Sequence, residues 1–338
     1  MNINPILRTS LFYTIAIVLA EIFHIGQVVL VVFLAPAMIG GQHFNVRVIT
    51  IFVTRLLISI SLGMFVAEMF YNNQFFALVL SCVFLWMLLS YVKSPSKIVS
   101  FSSPIFLYCY GFINVTNGMV IENSLMVVCQ ATTFMLPLSW LCFQLFPTPK
   151  KDQCHVAKSN DTVEMSDITE LHKIFIILIV AASLMTFLTI NVQSAIFCLS
   201  VVINAVLRST IKQGRVVVRS ILPVQITGCL IAMVFHMLLL GHPNNIALFS
   251  ALLLITTSTL FYYSYNKELR HKDIPNFEIS FLSATLIPLT LYTNSNGFNV
   301  EPFVQRAFDM GFIWVVLSLL VVVIVWLVQK RNQLLCRL

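Results

Sequence analysis

Residues 53–72 read VTRLLISISLGMFVAEMFYN, an apolar run long enough for a membrane helix that carries Arg55 near one end and Glu68 near the other. A charge in the hydrocarbon core costs about 2.5–3.5 kcal/mol on insertion scales, so it usually faces a partner or a water-filled cavity. Helical rise separates the two charges by about 20 Å, so they do not pair within one helix. Glu68 is close enough to the outer surface to snorkel. Arg55 is either a structural cation or a group that lines a path for anions.

The composition around this stretch is that of a polytopic helical membrane protein. Of the 338 residues, 59% are hydrophobic and 10% are charged, and the mean hydropathy is +0.92. Apolar runs of about 20 residues recur along the chain, without the alternation of a transmembrane β-barrel. The net charge of +7 does not indicate a nucleic-acid partner, because the cations fall in loops at intervals rather than on one patch.

We predict twelve membrane spans: 8–26, 27–43, 48–72, 74–93, 98–120, 124–146, 171–190, 193–210, 216–241, 244–264, 274–295 and 304–329. Of the 20 Lys and Arg residues, 18 fall at the termini or in every second gap, and only Arg55 and Arg306 do not. The positive-inside rule therefore places both termini in the cytoplasm. Arg8 precedes the first apolar run, which shows no convincing cleavage site and is expected to remain as the first span.

Short motifs repeat in the same order in the two halves of the chain. GMFVA (63–67) in span 3 matches GCLIA (228–232) in span 9 at an offset of 165 residues. SFSS (100–103) in span 5 matches SFLS (280–283) in span 11 at an offset of 180 residues. The offset grows only across loops, where insertions are tolerated. This order favours a duplicated six-helix unit, although small residues also occur as ordinary helix-packing contacts.

The duplication divides the chain into residues 1–146, a flexible cytoplasmic linker 147–170, and residues 171–338. Because each repeat has an even number of spans, both repeats enter from the cytoplasm and run parallel, related by a two-fold axis along the membrane normal. Ser59, Gly63 and Ala67 form a small-residue stripe on span 3 that we expect to be a packing face. The fold class is therefore an all-α membrane protein of two parallel repeats.

Two regions hold candidate functional side chains. Glu21 in span 1, with His24 one turn further on, is a candidate carrier of a coupled proton, with structural hydrogen bonding as the alternative. Spans 5 and 11 are both interrupted by proline and rich in polar residues, which is a pointer to a transport site in paired repeats. Ordinary kinked helices with interhelical hydrogen bonds are the alternative. The candidate binding or pore residues are Arg55, Ser100, Ser103, Asn114, Arg219, Ser280, Ser283 and Thr290.

No sequence pattern of a catalytic or cofactor site is present. HExxH, GxSxG and P-loop motifs are absent, as are Cys/His clusters, so we expect no enzyme, no metal and no cofactor. The eight cysteines include no CxxC pair, and six lie in apolar runs, where they are expected to be packing residues. Without a Walker motif, pumping has to draw on an ion gradient or a partner protein.

The duplicated halves, with RLLIS (55–59) opening span 3 and RSILPVQITG (219–228) in span 9, resemble the fusaric-acid-resistance and aromatic-acid exporter superfamily. The length is similar to that of its compact bacterial members, and the six-helix plant aluminium-activated malate transporters look distantly related. The chain departs from the family's Arg-Leu-Leu-Gly-Thr pattern at Ile58, and the second stretch departs further. The large cytoplasmic domains of longer members are absent.

The resemblance implies export of organic, often aromatic, carboxylates across a bacterial inner membrane, commonly beside a periplasmic membrane-fusion adaptor. A homo-oligomer is compatible with the sequence. The residues favour a proton-driven exporter in which Arg55 attracts the carboxylate and spans 5 and 11 hold its body. The alternatives are an anion channel with Arg55 and Arg219 as fixed cations, a membrane enzyme for lipid-linked substrates, and a scaffold for an adaptor.

Overall fold

The computed structural model describes residues 3–23, 28–39, 43–90, 101–118, 121–147, 170–190, 211–240, 245–265, 284–290 and 303–305, with scattered single or paired positions between and after them. Over this part of the chain every regular element is an α-helix. The nine helices are α1 (Asn4–Ile22), α2 (Val29–Ile39), α3 (Val46–Met69), α4 (Gln74–Ser90), α5 (Ser102–Thr116), α6 (Ile121–Leu145), α7 (Glu170–Ile190), α8 (Ile211–Leu239) and α9 (Ile246–Tyr265).

The all-helical fold class is confirmed for the described residues, and every one of the nine helices overlaps a predicted span in chain order. In the part of the chain that the structure describes, four helical stretches are long and apolar enough to cross a membrane, and they indicate a membrane-embedded protein: Asn4–Ile22, Val46–Met69, Leu125–Leu145 and Ile246–Tyr263. Three apolar helices are shorter: Gln74–Ser90, Lys173–Met185 and Pro223–Leu239. The count of twelve spans and the two-repeat architecture stay predictions.

Asparagine side chains start two of the long helices. The Asn45 Oδ1 accepts hydrogen bonds from the backbone amides of Arg47 at 3.1 Å and Val48 at 3.4 Å, at the start of α3. The Asn245 Oδ1 accepts from the amide of Leu248 at 3.1 Å, at the start of α9. These bonds satisfy amides that the first helical turn leaves without partners.

The most extensive helix contact joins α3 and α5, whose backbones meet through glycine. A Cβ on Gly63 would collide with the carbonyl oxygen of Tyr108, and a Cβ on Gly111 would lie 2.7 Å from the carbonyl oxygen of Ile60. Only glycine fits at both positions, because the atoms opposite are backbone atoms that cannot rotate away. The predicted packing face is confirmed, since Ser59, Gly63 and Ala67 are all buried.

Helix α1 lies against α2, α6 and α9, and α4 lies against both α3 and α7. The Thr14 and Thr257 hydroxyl oxygens are 3.2 Å apart at the α1–α9 contact, and the rings of Tyr13 and Phe261 pack there with centroids 5.5 Å apart. The Ser139 hydroxyl of α6 donates to the Met38 carbonyl at 2.7 Å, near the C-terminus of α2, where backbone carbonyls lack helical donors. Hydroxyls thus serve both as interhelical bonds and as caps.

Arg8 lies inside a helix and not at its end, where the sequence had placed it. We expected it at the cytoplasmic terminus, at the very start of span 1, but α1 begins at Asn4 and Arg8 lies one turn inside the helix. The side chain is buried, with 4% of the residue exposed. Proline at the first turn starts the helix early, because Pro5 has its backbone angle preset for a helix and needs no amide partner there.

Replacing Gly63 with alanine tests the α3–α5 contact. We expect Gly63→Ala to lower the free energy of unfolding by about 1–3 kcal/mol, since the new methyl group overlaps the Tyr108 carbonyl. The measurement is the thermal unfolding midpoint of the detergent-purified protein. Gly311→Ala is the matched control, because no atom lies within 4 Å of its added Cβ. Equal midpoints for the two variants would show that the helices are not in backbone contact.

Candidate functional site

The cation of the opening stretch, Arg55, lies on the outer face of α3. Its neighbours Leu56, Ser59 and Ile60 are buried against the other helices. Arg55 and Ile58 are exposed. The α3–α5 contact sets this orientation, because the small-residue stripe has to face α5. Arg55 is therefore not brought to the other candidate residues that the structure describes.

Helix α5 contributes two of the predicted polar residues to the interior. Ser103 lines an apolar cavity of about 10 Å³ between α2, α3, α5 and α6, which has room for about one water molecule. Asn114 is buried, with 2% exposed, and its Nδ2 has no hydrogen-bond partner. In segment 284–290, the Thr290 hydroxyl donates to the Leu286 carbonyl at 2.9 Å and is thus satisfied within its own helix.

The remaining predicted residues are described incompletely. Ser100, Ser280, Ser283 and His24 lie outside the described residues, as does most of the linker. Arg219 lies in α8 among residues whose backbone alone is described. Glu21 is half-buried near the C-terminus of α1 and has an interaction partner.

A buried cation near the N-terminus of α1 is the feature that sequence reasoning missed. The Arg8 guanidinium carbon lies 4.2 Å from the centroid of the Phe143 ring in α6, and Phe143 packs against Phe44 with centroids 6.1 Å apart. Nearby, the Asn4 amide donates to the Pro147 carbonyl at 3.4 Å, which ties the start of α1 to the end of α6. A cation over an aromatic face is stabilised more strongly when water is excluded.

A second buried cation stands at the start of α7. Lys173 is 7% exposed, and its Nζ donates to the Glu170 Oε1 at 2.8 Å. It follows Arg8 by 165 residues, the same offset that relates Gly63 to Gly228. The repeated offset is the one sequence signal that could have singled out Arg8 among the flanking cations.

Buried hydroxyls form a further polar contact between α4 and α5. The Ser81 hydroxyl donates to the Ala77 carbonyl at 2.8 Å and lies 2.7 Å from the Tyr108 hydroxyl, which can donate to it. The ring of Tyr108 stacks on Phe84 with centroids 4.9 Å apart. This pair fixes α4 beside the α3–α5 contact. Among the described residues, no group of three His, Cys, Asp or Glu side chains is arranged to hold a metal ion.

No protein family, no curated protein and no solved structure matches this chain. The family resemblance therefore rests on its sequence motifs alone. Among the described residues, the candidate site comprises two deeply buried cations near the N-termini of α1 and α7, together with buried amide atoms of Asn114 and Gln225 that have no hydrogen-bond partner.

Separate replacement of the buried Arg8 and the exposed Arg55 by glutamine tests the Arg8 site. We expect Arg8→Gln to lower the free energy of unfolding by about 1–3 kcal/mol, because the cation–π contact and the packing of the arginine stem are both lost. Arg55→Gln removes the same charge from an exposed position and is expected to leave the thermal unfolding midpoint unchanged. A larger loss in Arg55→Gln would contradict this assignment.

Proposed function

We propose that this chain is a secondary transporter of the bacterial inner membrane that exports small organic carboxylates, aromatic ones among them, driven by the proton gradient. In this proposal two parallel six-helix repeats, residues 1–146 and 171–338, enclose the transport path, and both termini are cytoplasmic. The alternating exposure of the path comes from movement of one repeat against the other.

A reciprocal pair of helix contacts carries the proposal. Helix α1 packs on α9, and α4 packs on α7. In terms of the predicted spans, the first helix of each repeat thus contacts the fourth helix of the other repeat. A two-fold axis that exchanges the repeats requires these two contacts to occur together. In a set of unrelated helices, one contact would not require the other.

Contacts within each half agree with the same axis. Gly63 of α3 packs on the backbone of α5, and Gly228 of α8 packs on the backbone of segment 284–290, where its added Cβ would lie 2.5 Å from the Ala284 carbonyl oxygen. The third helix therefore meets the fifth through glycine in both halves. Likewise α3 contacts α4, and α8 contacts α9.

The buried cations support an anionic substrate. Arg8 and Lys173 occupy equivalent positions in the two repeats, and each is more than nine-tenths buried. Cations that are partly shielded from water act on an anion more strongly than surface cations, because screening is weaker. Arg8 would raise the local concentration of carboxylates at the cytoplasmic mouth of the path, whereas the charge of Lys173 is balanced by Glu170.

Transport into respiring inverted vesicles tests the proposed coupling. We expect wild type to accumulate radiolabelled benzoate or salicylate and to lose this accumulation with a protonophore. Glu21→Gln is expected to reduce accumulation to the uncoupled level, because this half-buried carboxylate can no longer exchange a proton. Glu68→Gln, which alters an exposed carboxylate of α3, is the matched control.

Flux that persists at the same rate after uncoupling would favour an anion channel over the proposed exporter. Absence of transport for every aromatic carboxylate, with the protein shown to be folded, would refute the proposal itself.

A cross-link between α1 and α9 tests the proposed movement of the repeats. The Thr14 and Thr257 hydroxyl oxygens are 3.2 Å apart, so a cysteine pair at these positions should oxidise to a disulfide in a background without the eight native cysteines. We expect oxidation to stop benzoate accumulation and reduction to restore it. Thr14→Cys alone controls for oxidation. Full transport by the cross-linked protein would contradict movement at this contact.

A further inference from the structure

Gln225 of α8 is a buried side chain with no hydrogen-bond partner at either polar atom. The residue is 1% exposed, and neither its Oε1 nor its Nε2 makes a hydrogen bond. A buried amide without partners is unfavourable, more so where no water is available to replace them. Such a group calls for a partner, and a bound ligand is one that can satisfy both of its polar atoms.

The face of α8 that carries Gln225 also carries the glycine contact of the second half. Gln225 lies one helical turn before Gly228, on the same face of α8, and Gly228 meets Ala284 in backbone contact. Pro288 follows Ala284 by four residues and has no amide hydrogen, so the Ala284 carbonyl lacks its usual helical donor. An unpaired amide and a carbonyl without its helical donor thus share this helix contact.

The equivalent contact in the first half is apolar. The residue 165 positions before Gln225 is Ile60, whose Cγ1 would lie 3.1 Å from a Cβ on Gly111. Hydrocarbon therefore fills the α3–α5 contact, and the packing of these helix pairs does not require a polar group at this position. Glutamine in the second half has another role.

We propose that the Gln225 amide binds the carboxyl group of the transported acid in its neutral, protonated form, an inference that rests on the proposed function. A carboxylic acid matches a primary amide: its O–H donates to Oε1, and its carbonyl oxygen accepts from Nε2. A carboxylate has no donor for Oε1 and loses more hydration on burial. The acid then takes its own proton outward, so the proton that drives export is a separate one, which Glu21 carries inward.

The described arrangement is the occluded one. Because almost none of Gln225 is exposed, an acid reaches the amide only when α8 and segment 284–290 separate. Two titratable side chains are described on the same helix, Cys229 and His236. His236 hydrogen-bonds to the backbone of Leu289 and lies edge-on to Phe303 with ring centroids 5.5 Å apart.

Fluorine NMR of three probes with the purified protein tests this assignment. The probes are para-fluorobenzoic acid, para-fluorobenzamide, which keeps a neutral donor–acceptor pair, and para-fluorobenzenesulfonate, which is always an anion. We expect wild type to bind the acid and the amide, and Gln225→Leu and Gln225→Met to weaken both about tenfold or more, as the loss of two hydrogen bonds predicts. The sulfonate should bind all variants equally weakly.

Gln130→Leu is the matched control, because it removes an exposed glutamine from α6 and should leave binding of all three probes unchanged. Removal of unpaired polar atoms is also expected to keep the unfolding midpoint of Gln225→Leu at or above that of wild type. Three results would overturn the inference. The first is binding that is unchanged in both Gln225 variants. The others are a wild type that binds the sulfonate as well as the acid but not the amide, and a wild type that binds no probe.

The vesicle experiment separates this inference from the proposed function. Proton-driven benzoate transport without any effect of Gln225→Leu on probe binding would leave the transporter standing and refute the role of the amide. Probe binding that depends on Gln225, in a protein that transports no aromatic acid, would support the role of the amide and refute the proposed transport function.

Discussion

The backbone contact between α3 and α5 determines how the first half of the molecule is arranged. Gly63 and Gly111 allow the two helices to approach until a carbonyl oxygen occupies the space of a side chain. With no hydrophobic force between helices in lipid, such close packing is a main source of helix association. The contact sets the rotation of both helices. It turns Arg55 outward, places the Tyr108 hydroxyl 2.7 Å from Ser81 and sets Ser103 at the cavity beside α2.

The polar groups of the interior divide into those that hold helices together and those left without partners. The hydroxyls of Thr14, Ser81 and Ser139 bond to other helices or their carbonyls, so each adds to cohesion where water is absent. Asn114 and Gln225 have amide atoms with no partner. Because these amides have capacity to bind a further group, they are better candidates for ligand contact than the exposed Arg55.

Repetition links these observations. The offset of 165 residues relates Gly63 to Gly228 and also Arg8 to Lys173. Both members of each pair are deeply buried or in close helix contact. The departure from repetition is equally informative: Ile60 fills one contact, and Gln225 stands at the matching position of the other. In the proposed transporter, this difference between the halves would supply the asymmetry that binding an asymmetric substrate requires.

The sequence by itself determined the helical class, the approximate helix bounds and the packing stripe of α3. Long apolar runs and small residues spaced one turn apart are local signals, and they do not depend on neighbouring helices. Only the tertiary structure decided that Arg55 is exposed, that Arg8 is buried against Phe143, and that Gln225 has no partner. A membrane helix is apolar on nearly every face, so the spacing of apolar residues does not tell which face is buried. That choice is made by the helices packed around it.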